Sequence, residues 1–131
     1  MDDLTFLPAV EMARQIREKK ISATEFAEAH LAKIERLNAK LNAFVHVDPD
    51  RVRREARQAE AAVMSGQELG PLHGVPISIK SSIDVAGMKI ESGTRLRAGR
   101  VASEDAPLVA RLRKAGAIVL GVTNTPELLM A

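Results

Sequence analysis

Gly70-Pro71-Leu72-His73-Gly74-Val75-Pro76-Ile77-Ser78-Ile79-Lys80, followed by Ser81-Ser82-Ile83-Asp84-Val85, is the stretch from which the fold is read. Val75, Ile77 and Ile79 alternate with Pro76, Ser78 and Lys80, the period of two that a β-strand imposes on its side chains. Gly70-Pro71 and Gly74 are turn signals ahead of it. The strand ends on a cation. A lysine there either snorkels to water along its aliphatic stem or gives up its charge. On pattern alone the ordinary reading is a strand-end lysine in solvent.

C-terminal to this strand, Pro107 opens a helix expected to reach about Ala115, with Val109 and Leu112 on its apolar face and Gly116 as C-cap. Ala117-Ile-Val-Leu-Gly121 is a short continuous apolar run, as expected of a strand buried on both faces. Strand, helix, strand from 75 to 121 predicts a parallel pair joined by a right-handed crossover. Thr125-Pro126 reads as a cap and N1 proline opening one more helix. Gly93 and Gly99 read as backbone turns.

N-terminal to the strand, residues 1–67 read as helical. Pro8 suits a first turn, and Val10, Ala13 and Ile16 or Arg17 continue a stripe to about Lys19. Ser22 and Glu25 form a capping box that opens a helix to about Asn38, with Phe26, His30 or Leu31, Ile34 and Leu37 on one face. Ala43–Val47 is a weak strand. Asp48-Pro49 caps a helix over about 49–65, whose thin apolar face is Val52, Ala56, Ala59 and Val63. The fold class predicted is α/β: N-terminal helices followed by the start of a mixed β-sheet with helices on both faces. Residues 1–67 form its helical segment and 68–131 the start of its α/β core, together the N-terminal part of one domain. Ile118, Leu120, Leu128, Leu129 and Met130 are expected to need cover from further chain.

Composition excludes several classes. At 131 residues, with 46% hydrophobic and 27% charged residues, the chain has ordinary globular usage, which disfavours disorder. A formal net charge of +2 makes no field strong enough to argue for nucleic acid. There is no Trp or Tyr, and only Phe6, Phe26 and Phe44 are aromatic, so a base-stacking surface is not expected. The absence of cysteine excludes disulfides, thiolate metal sites and cysteine nucleophiles. The acidic start Met1-Asp2-Asp3-Leu4 lacks the order of a signal peptide, and no apolar run approaches the roughly 18 residues of a membrane span. A cytoplasmic protein is the expectation.

The wording around Lys80 adds chemistry to this frame. Gly-Pro-Leu-His-Gly-Val-Pro-Ile-x-Ile-Lys, then Ile83-Asp-Val-x-Gly87, resembles the N-terminal block of the amidase signature family. Leu37-Asn-Ala-Lys-Leu-Asn-Ala-Phe44, Asp105-Ala-Pro-Leu-Val-Ala-Arg-Leu-Arg-Lys-Ala-Gly-Ala-Ile-Val-Leu-Gly121 and Val122-Thr-Asn-Thr-Pro-Glu127 resemble the same family in the same order, from about Ile16 to Ala131. The resemblance implies amide hydrolysis by a Ser–cis-Ser–Lys triad, with Lys80 as its base. The chain departs from the family twice. It stops before a Gly/Ser-rich segment that would supply the two serines, and it carries Ser81-Ser82 where the family more often has Asp-Asn.

A serine hydroxyl needs a base, and a neutral lysine can be one. Keeping a lysine neutral near pH 7–8 costs roughly 3–5 kcal/mol, which burial in a completed site can supply. Ser78, Ser81 and Ser82 flank Lys80 but lie on no Gly-framed elbow, so structural or supporting roles are expected of them, Ser81 and Ser82 by hydrogen-bonding the turn. Asn124, between the apolar strand and the next expected helix, is a candidate supporting residue because strand ends of this kind line ligand crevices. His73 is expected to pack or cap its loop, and His30 and His46 look structural. The clusters Arg95, Arg97, Arg100 and Arg51, Arg53, Arg54 read as solvated faces.

The expected function is an amidase-type hydrolase acting on a small-molecule amide, with no cofactor, no nucleic acid and no membrane, completed by the C-terminal part of the same protein. The 131-residue chain alone is expected to be inactive. The alternatives are the A subunit of a glutaminyl-tRNA amidotransferase and, from another class, a non-catalytic helical interaction module built on 1–67. The Thr-Asn-Thr-Pro-Glu-Leu-Leu-Met wording leans toward a free-standing amidase.

Overall fold

A computed structural model describes residues 3–130. Among them run α1 (Ala9–Arg17), α2 (Ala23–Leu41), β1 (Phe44–Val47), α3 (Pro49–Met64), β2 (Pro76–Lys80), α4 (Pro107–Lys114) and β3 (Ile118–Thr123). Short 3-10 turns occupy Leu4–Phe6, Arg95–Arg97 and Glu127–Leu129.

The capping chemistry starts the helices where it should. Ser22 Oγ accepts from the Glu25 amide at 3.1 Å, and the Glu25 carboxylate accepts from the Ser22 amide at 2.8 Å. Two amides that α2 cannot satisfy internally are thus paired. Asp48 accepts from the Arg51 amide at 3.0 Å with Pro49 at N1 of α3. Val52, Ala56, Ala59 and Val63 are all buried. In α1 the buried face is Met12, Ala13 and Ile16, while Val10 is 77% exposed. Each step of three residues falls about 60° short of a full turn, so two steps back from Ile16 carry Val10 off the face.

α2 runs past Asn38 to Leu41 and stops at Asn42, in the left-handed region at φ 49°. Asn38 keeps a joining role from inside the helix. Its carboxamide donates to the Phe44 carbonyl at 2.9 Å and accepts from the Phe44 amide at 2.8 Å, as a neighbouring peptide group would. That pairing satisfies backbone at the start of β1 that would otherwise face solvent.

The sheet has strand order β1-β3-β2. β3 is parallel to β2, with Ile77 opposite Val119 and Lys80 opposite Thr123, and antiparallel to β1. α4 makes the crossover between the parallel strands. β3 is central, which is why its run is apolar throughout: Ile118, Val119, Leu120 and Val122 are all buried. On one side Ile118, Leu120 and Val75 pack with Phe26, Leu31 and Val52 of the N-terminal helices. On the other, Val119, Val122 and Ile79 pack with Val109 of α4 and with Val85, Met88 and Ile90 of the loop after β2. Helices therefore cover both faces of a mixed sheet, as predicted. Ile118 and Leu120 do not await cover from further chain: at 3% and 4% exposure they are already covered, whereas Leu128, Leu129 and Met130 are not.

The expected helix after Thr125-Pro126 is not formed within the described residues. Pro126 is extended (φ −56°, ψ 153°), and the 3-10 turn after it carries Leu128 at φ 48° and Leu129 at φ 68°. The four described residues beyond Pro126 are instead held against the loop after β2. The Leu128 amide donates to the Ser92 carbonyl at 2.9 Å, and the Thr94 hydroxyl donates to Glu127 at 2.9 Å. Both draw the segment against the loop after β2. Ala131 lies outside the described residues.

Candidate active site

Parallel β-strands deliver their terminal residues to one edge of the sheet, and ligand crevices of open α/β sheets lie at that edge. Lys80 is the last residue of β2 and stands there. Alternation along β2 puts Ser78 and Lys80 on one face, both exposed, while Ile79 turns into the core. The Lys80 carbonyl accepts from the Ile83 amide at 3.0 Å, closing a tight turn. Its ammonium has no hydrogen bond or ion pair among the described residues, in contrast to most of the arginines.

Ser81 is buried, and its backbone is held from both sides. Its amide donates to the Thr123 carbonyl at 2.9 Å, and its carbonyl accepts from the Ser92 amide at 2.9 Å. Ser82 is half-buried. The hydroxyls of Ser78, Ser81 and Ser82 make no hydrogen bond among the described residues. The turn after Lys80 is therefore fixed by main chain, not by the serine side chains expected to do so.

The loop from 81 to 106 returns to this edge. Asp84 and Arg100 form a two-pronged ion pair, at 2.7 and 2.9 Å, across its base. The guanidinium hydrogen bonds, and then its charge, hold the Asp84 carboxyl below the ordinary carboxylate range. Arg97 donates to Ser92 Oγ at 3.0 Å. Gly93, at φ 65°, passes so close to the β3 exit that a Cβ there would lie 2.5 Å from the Thr125 carbonyl oxygen. A cleft of about 250 Å³ opens among Ser81, Glu91, Gly93, Thr94 and Asn124.

Asn124 lines that cleft as expected, but its side chain is committed to the backbone. Nδ2 donates to the Asn42 carbonyl at 3.1 Å, and Oδ1 accepts from the Thr125 amide at 2.9 Å. With its own amide donating to the Ala43 carbonyl at 2.8 Å, it staples the β3 exit to the α2–β1 junction.

Arg51 and Arg100 correct the reading of the basic clusters as solvated faces. Arg100 is spent on Asp84, and Arg51 pairs with Glu55 at 3.0 Å and donates to the Ala86 carbonyl at 2.9 Å. Long-range partners of this kind leave no local pattern in the sequence. His73 does pack its loop, with Nε2 donating to the Ala59 carbonyl at 2.8 Å. His30 Nδ1 lies 2.7 Å from the Phe26 carbonyl within its own helix. Among the described residues no group of three His, Asp or Glu side chains could hold a metal ion, and no helix is long and apolar enough to cross a membrane.

Lys80 thus ends a parallel strand at the sheet edge, next in sequence to Ser81, which lines the cleft. The family model described as Amidase matches residues 25–131. The chain belongs to the amidase signature family. An acylamidase of Rhodococcus erythropolis is 39% identical over 125 residues, covering 95% of this chain and 26% of that protein. The A subunit of the glutamyl-tRNA(Gln) amidotransferase of Salinispora arenicola is 38% identical over 130 residues, covering 99% and 26%. The crystal structure of the native peptide amidase of Stenotrophomonas maltophilia superposes with a TM-score of 0.85 at 32% identity, over 93% of this chain and 25% of that one. The chain thus spans about a quarter of the length of these relatives.

Proposed function

We propose that this chain is the lysine-bearing part of an amide hydrolase in which Lys80 is the general base. The observation that carries the proposal is the position of Lys80 at the end of β2, exposed and without an ionic partner, in a chain of the amidase family. In this reading Lys80, kept neutral once the site is covered, takes the proton of a serine hydroxyl directly or through a second serine. The hydroxyl oxygen attacks the amide carbonyl, the C–N bond breaks as the proton passes to the leaving nitrogen, and a water molecule then hydrolyses the acyl-serine to release the carboxylic acid and restore the hydroxyl. The two serines of the triad come from polypeptide beyond Ala131. In this reading Ser78, Ser81 and Ser82 are not the nucleophile: Ser81 is buried, and none of the three hydroxyls is hydrogen-bonded to a base among the described residues.

The partner of this chain is then the serine-bearing remainder of the domain, and the substrate is a small amide. A second reading makes the chain part of a tRNA-dependent amidotransferase, where the same lysine serves to release ammonia from glutamine. The 38% identity to one such protein supports it. Ammonia release from simple primary amides and from glutamine, by the chain alone and by a polypeptide that continues it through the serine segment, tests the proposal. The longer polypeptide is expected to hydrolyse and the chain alone is not. Turnover by the chain alone that disappears on changing Ser78, Ser81 or Ser82 refutes it.

A further inference from the structure

The loop that returns from Lys80 carries no regular strand or α-helix between Ser81 and Ala106, yet its backbone is fixed at one peptide by two charged side chains. The Ala86 amide donates to Asp105 Oδ1 at 2.8 Å, and the Ala86 carbonyl accepts from Arg51 Nη1 at 2.9 Å. These side chains belong to different layers. Arg51 stands on α3, on the N-terminal side of the molecule, and Asp105 stands just ahead of α4. They are joined through two more charges: Arg51 Nε to Glu55 at 3.0 Å, Glu55 to Arg113 Nη1 at 3.3 Å, and Arg113 Nε to the second oxygen of Asp105 at 3.1 Å. The chain of charges is about three-quarters covered, each side chain being 20–24% exposed. The Ala106 amide adds a bond to the Asp84 carbonyl at 2.9 Å.

We propose that Asp105 and Arg51 are positioning residues for Lys80: they clamp the Ala86 peptide and so fix the far end of the turn that begins at the Lys80 carbonyl. The inference rests on the reading of Lys80 as the functional base. The mechanical logic is local. From Lys80 the chain has one fixed end, where Ser81 is hydrogen-bonded to Thr123 and Ser92. Five residues on, the clamp supplies the other. Between them the turn is held by the Ile83 amide to Lys80 carbonyl bond, by the burial of Val85, and at Asp84 by the Arg100 ion pair and the Ala106 amide. Charged groups suit the task because hydrogen bonds with an ionised partner are stronger than neutral ones, and partial burial protects them from screening. The geometry also makes the turn after Lys80 depend on α3, so that the N-terminal helices brace the site as well as the core.

Amide hydrogen exchange and side-chain NMR on the 131-residue chain test this without any catalysis. Asp105→Asn keeps an oxygen for the Ala86 amide but removes the charge that holds it against Arg113; Arg51→Met removes the donor to the Ala86 carbonyl. In each variant the amides of Ile83, Gly87 and Ser92 are expected to exchange at least about tenfold faster, with those of Ala27 and Leu31 in α2 unchanged. The Lys80 side-chain Cε signal is expected to move while those of Lys40 and Lys114 stay in place, which a purely stabilising role would not produce. Equal acceleration in the loop and in α2, or no acceleration in either, overturns the proposal, as does an unmoved Lys80 signal. If Asp105→Asn does not fold, Arg51→Met decides on the same criteria. These signals do not depend on amide hydrolysis, so their failure is separable from failure of the hydrolase reading.

Discussion

Replacing Gly93 by alanine should separate two costs that usually arrive together. Gly93 sits at φ 65° and Gly99 at φ 76°, so both alanine variants force a side chain into the left-handed region. That costs about 1–2 kcal/mol, partly offset by about 0.4–1 kcal/mol from the stiffer unfolded chain. The two sites differ in what the new methyl meets. At Gly99 there is nothing within 4 Å, whereas at Gly93 a Cβ would lie 2.5 Å from the Thr125 carbonyl oxygen and 3.2 Å from that of Pro126. Both neighbours are main chain and cannot rotate away. Overpacking of this kind costs about 1–3 kcal/mol. If the segment instead moves off, it loses the Leu128 amide to Ser92 bond and the Thr94 to Glu127 bond, at about 0.5–1.5 kcal/mol each, which comes to a similar sum. Subtracting Gly99→Ala from Gly93→Ala cancels the backbone and unfolded-state effects and leaves a contact cost of about 1–3 kcal/mol. Urea denaturation of the two variants measures it, and exchange of the Leu128 amide shows which route is taken. A difference below about 0.5 kcal/mol would refute the close approach of the 92–94 loop to the β3 exit.

Phe26, 0% exposed between α2 and the sheet, should cost about 3–5 kcal/mol as Phe26→Ala in the same denaturation assay. Ser22→Ala, which removes one arm of the α2 capping box, should cost about 0.5–2 kcal/mol with a visible loss of helical circular dichroism at the midpoint. Glu11 is held down to about 2, chiefly by hydrogen bonds from Arg14 and then Gln15. A carboxyl lowered on folding stabilises fully above its unfolded value, near 4.5, and loses that contribution as pH falls toward about 2. Urea midpoints should therefore drop across that window, and Glu11→Gln should make the drop shallower; an unchanged slope would show that the exposed pair contributes nothing.

Sequence reading succeeded where the cause was local. Ser22-Ala-Thr-Glu25 and Asp48-Pro49 each contain their own capping partners, and the 52, 56, 59, 63 spacing already states which face of α3 is buried. The alternation in 75–80 and the unbroken run at 117–121 separate a strand with a wet edge from a central one. The place of Lys80 at the end of β2 was legible for the same reason, as a charge ending an apolar alternation; its expected role came from the family wording alone. What escaped was set by residues far apart in the chain. Thr125-Pro126 has the form of a helix start, but Ser92 and Thr94, some thirty residues away, hold the segment otherwise. Arg51 and Asp105 meet at Ala86 with nothing in their surroundings to announce it. Asn124 was placed correctly at the strand end, and only the fold shows that its carboxamide is spent on Asn42 and Thr125.

The central claim is that Lys80 acts as a base, and charge-conserving replacement tests it most directly. Ammonia release from a primary amide should be measured for a polypeptide that carries this chain through the serine segment, with Lys80 intact, as Lys80→Ala and as Lys80→Arg. Arginine keeps the positive charge and most of the length but does not give up its proton near neutral pH. The account predicts that both variants fold and that both lose about a hundredfold or more in turnover, the range that a general base contributes. An arginine variant that keeps a substantial fraction of the turnover would contradict it, because Lys80 would then be serving as a fixed charge and the proton acceptor would have to lie elsewhere.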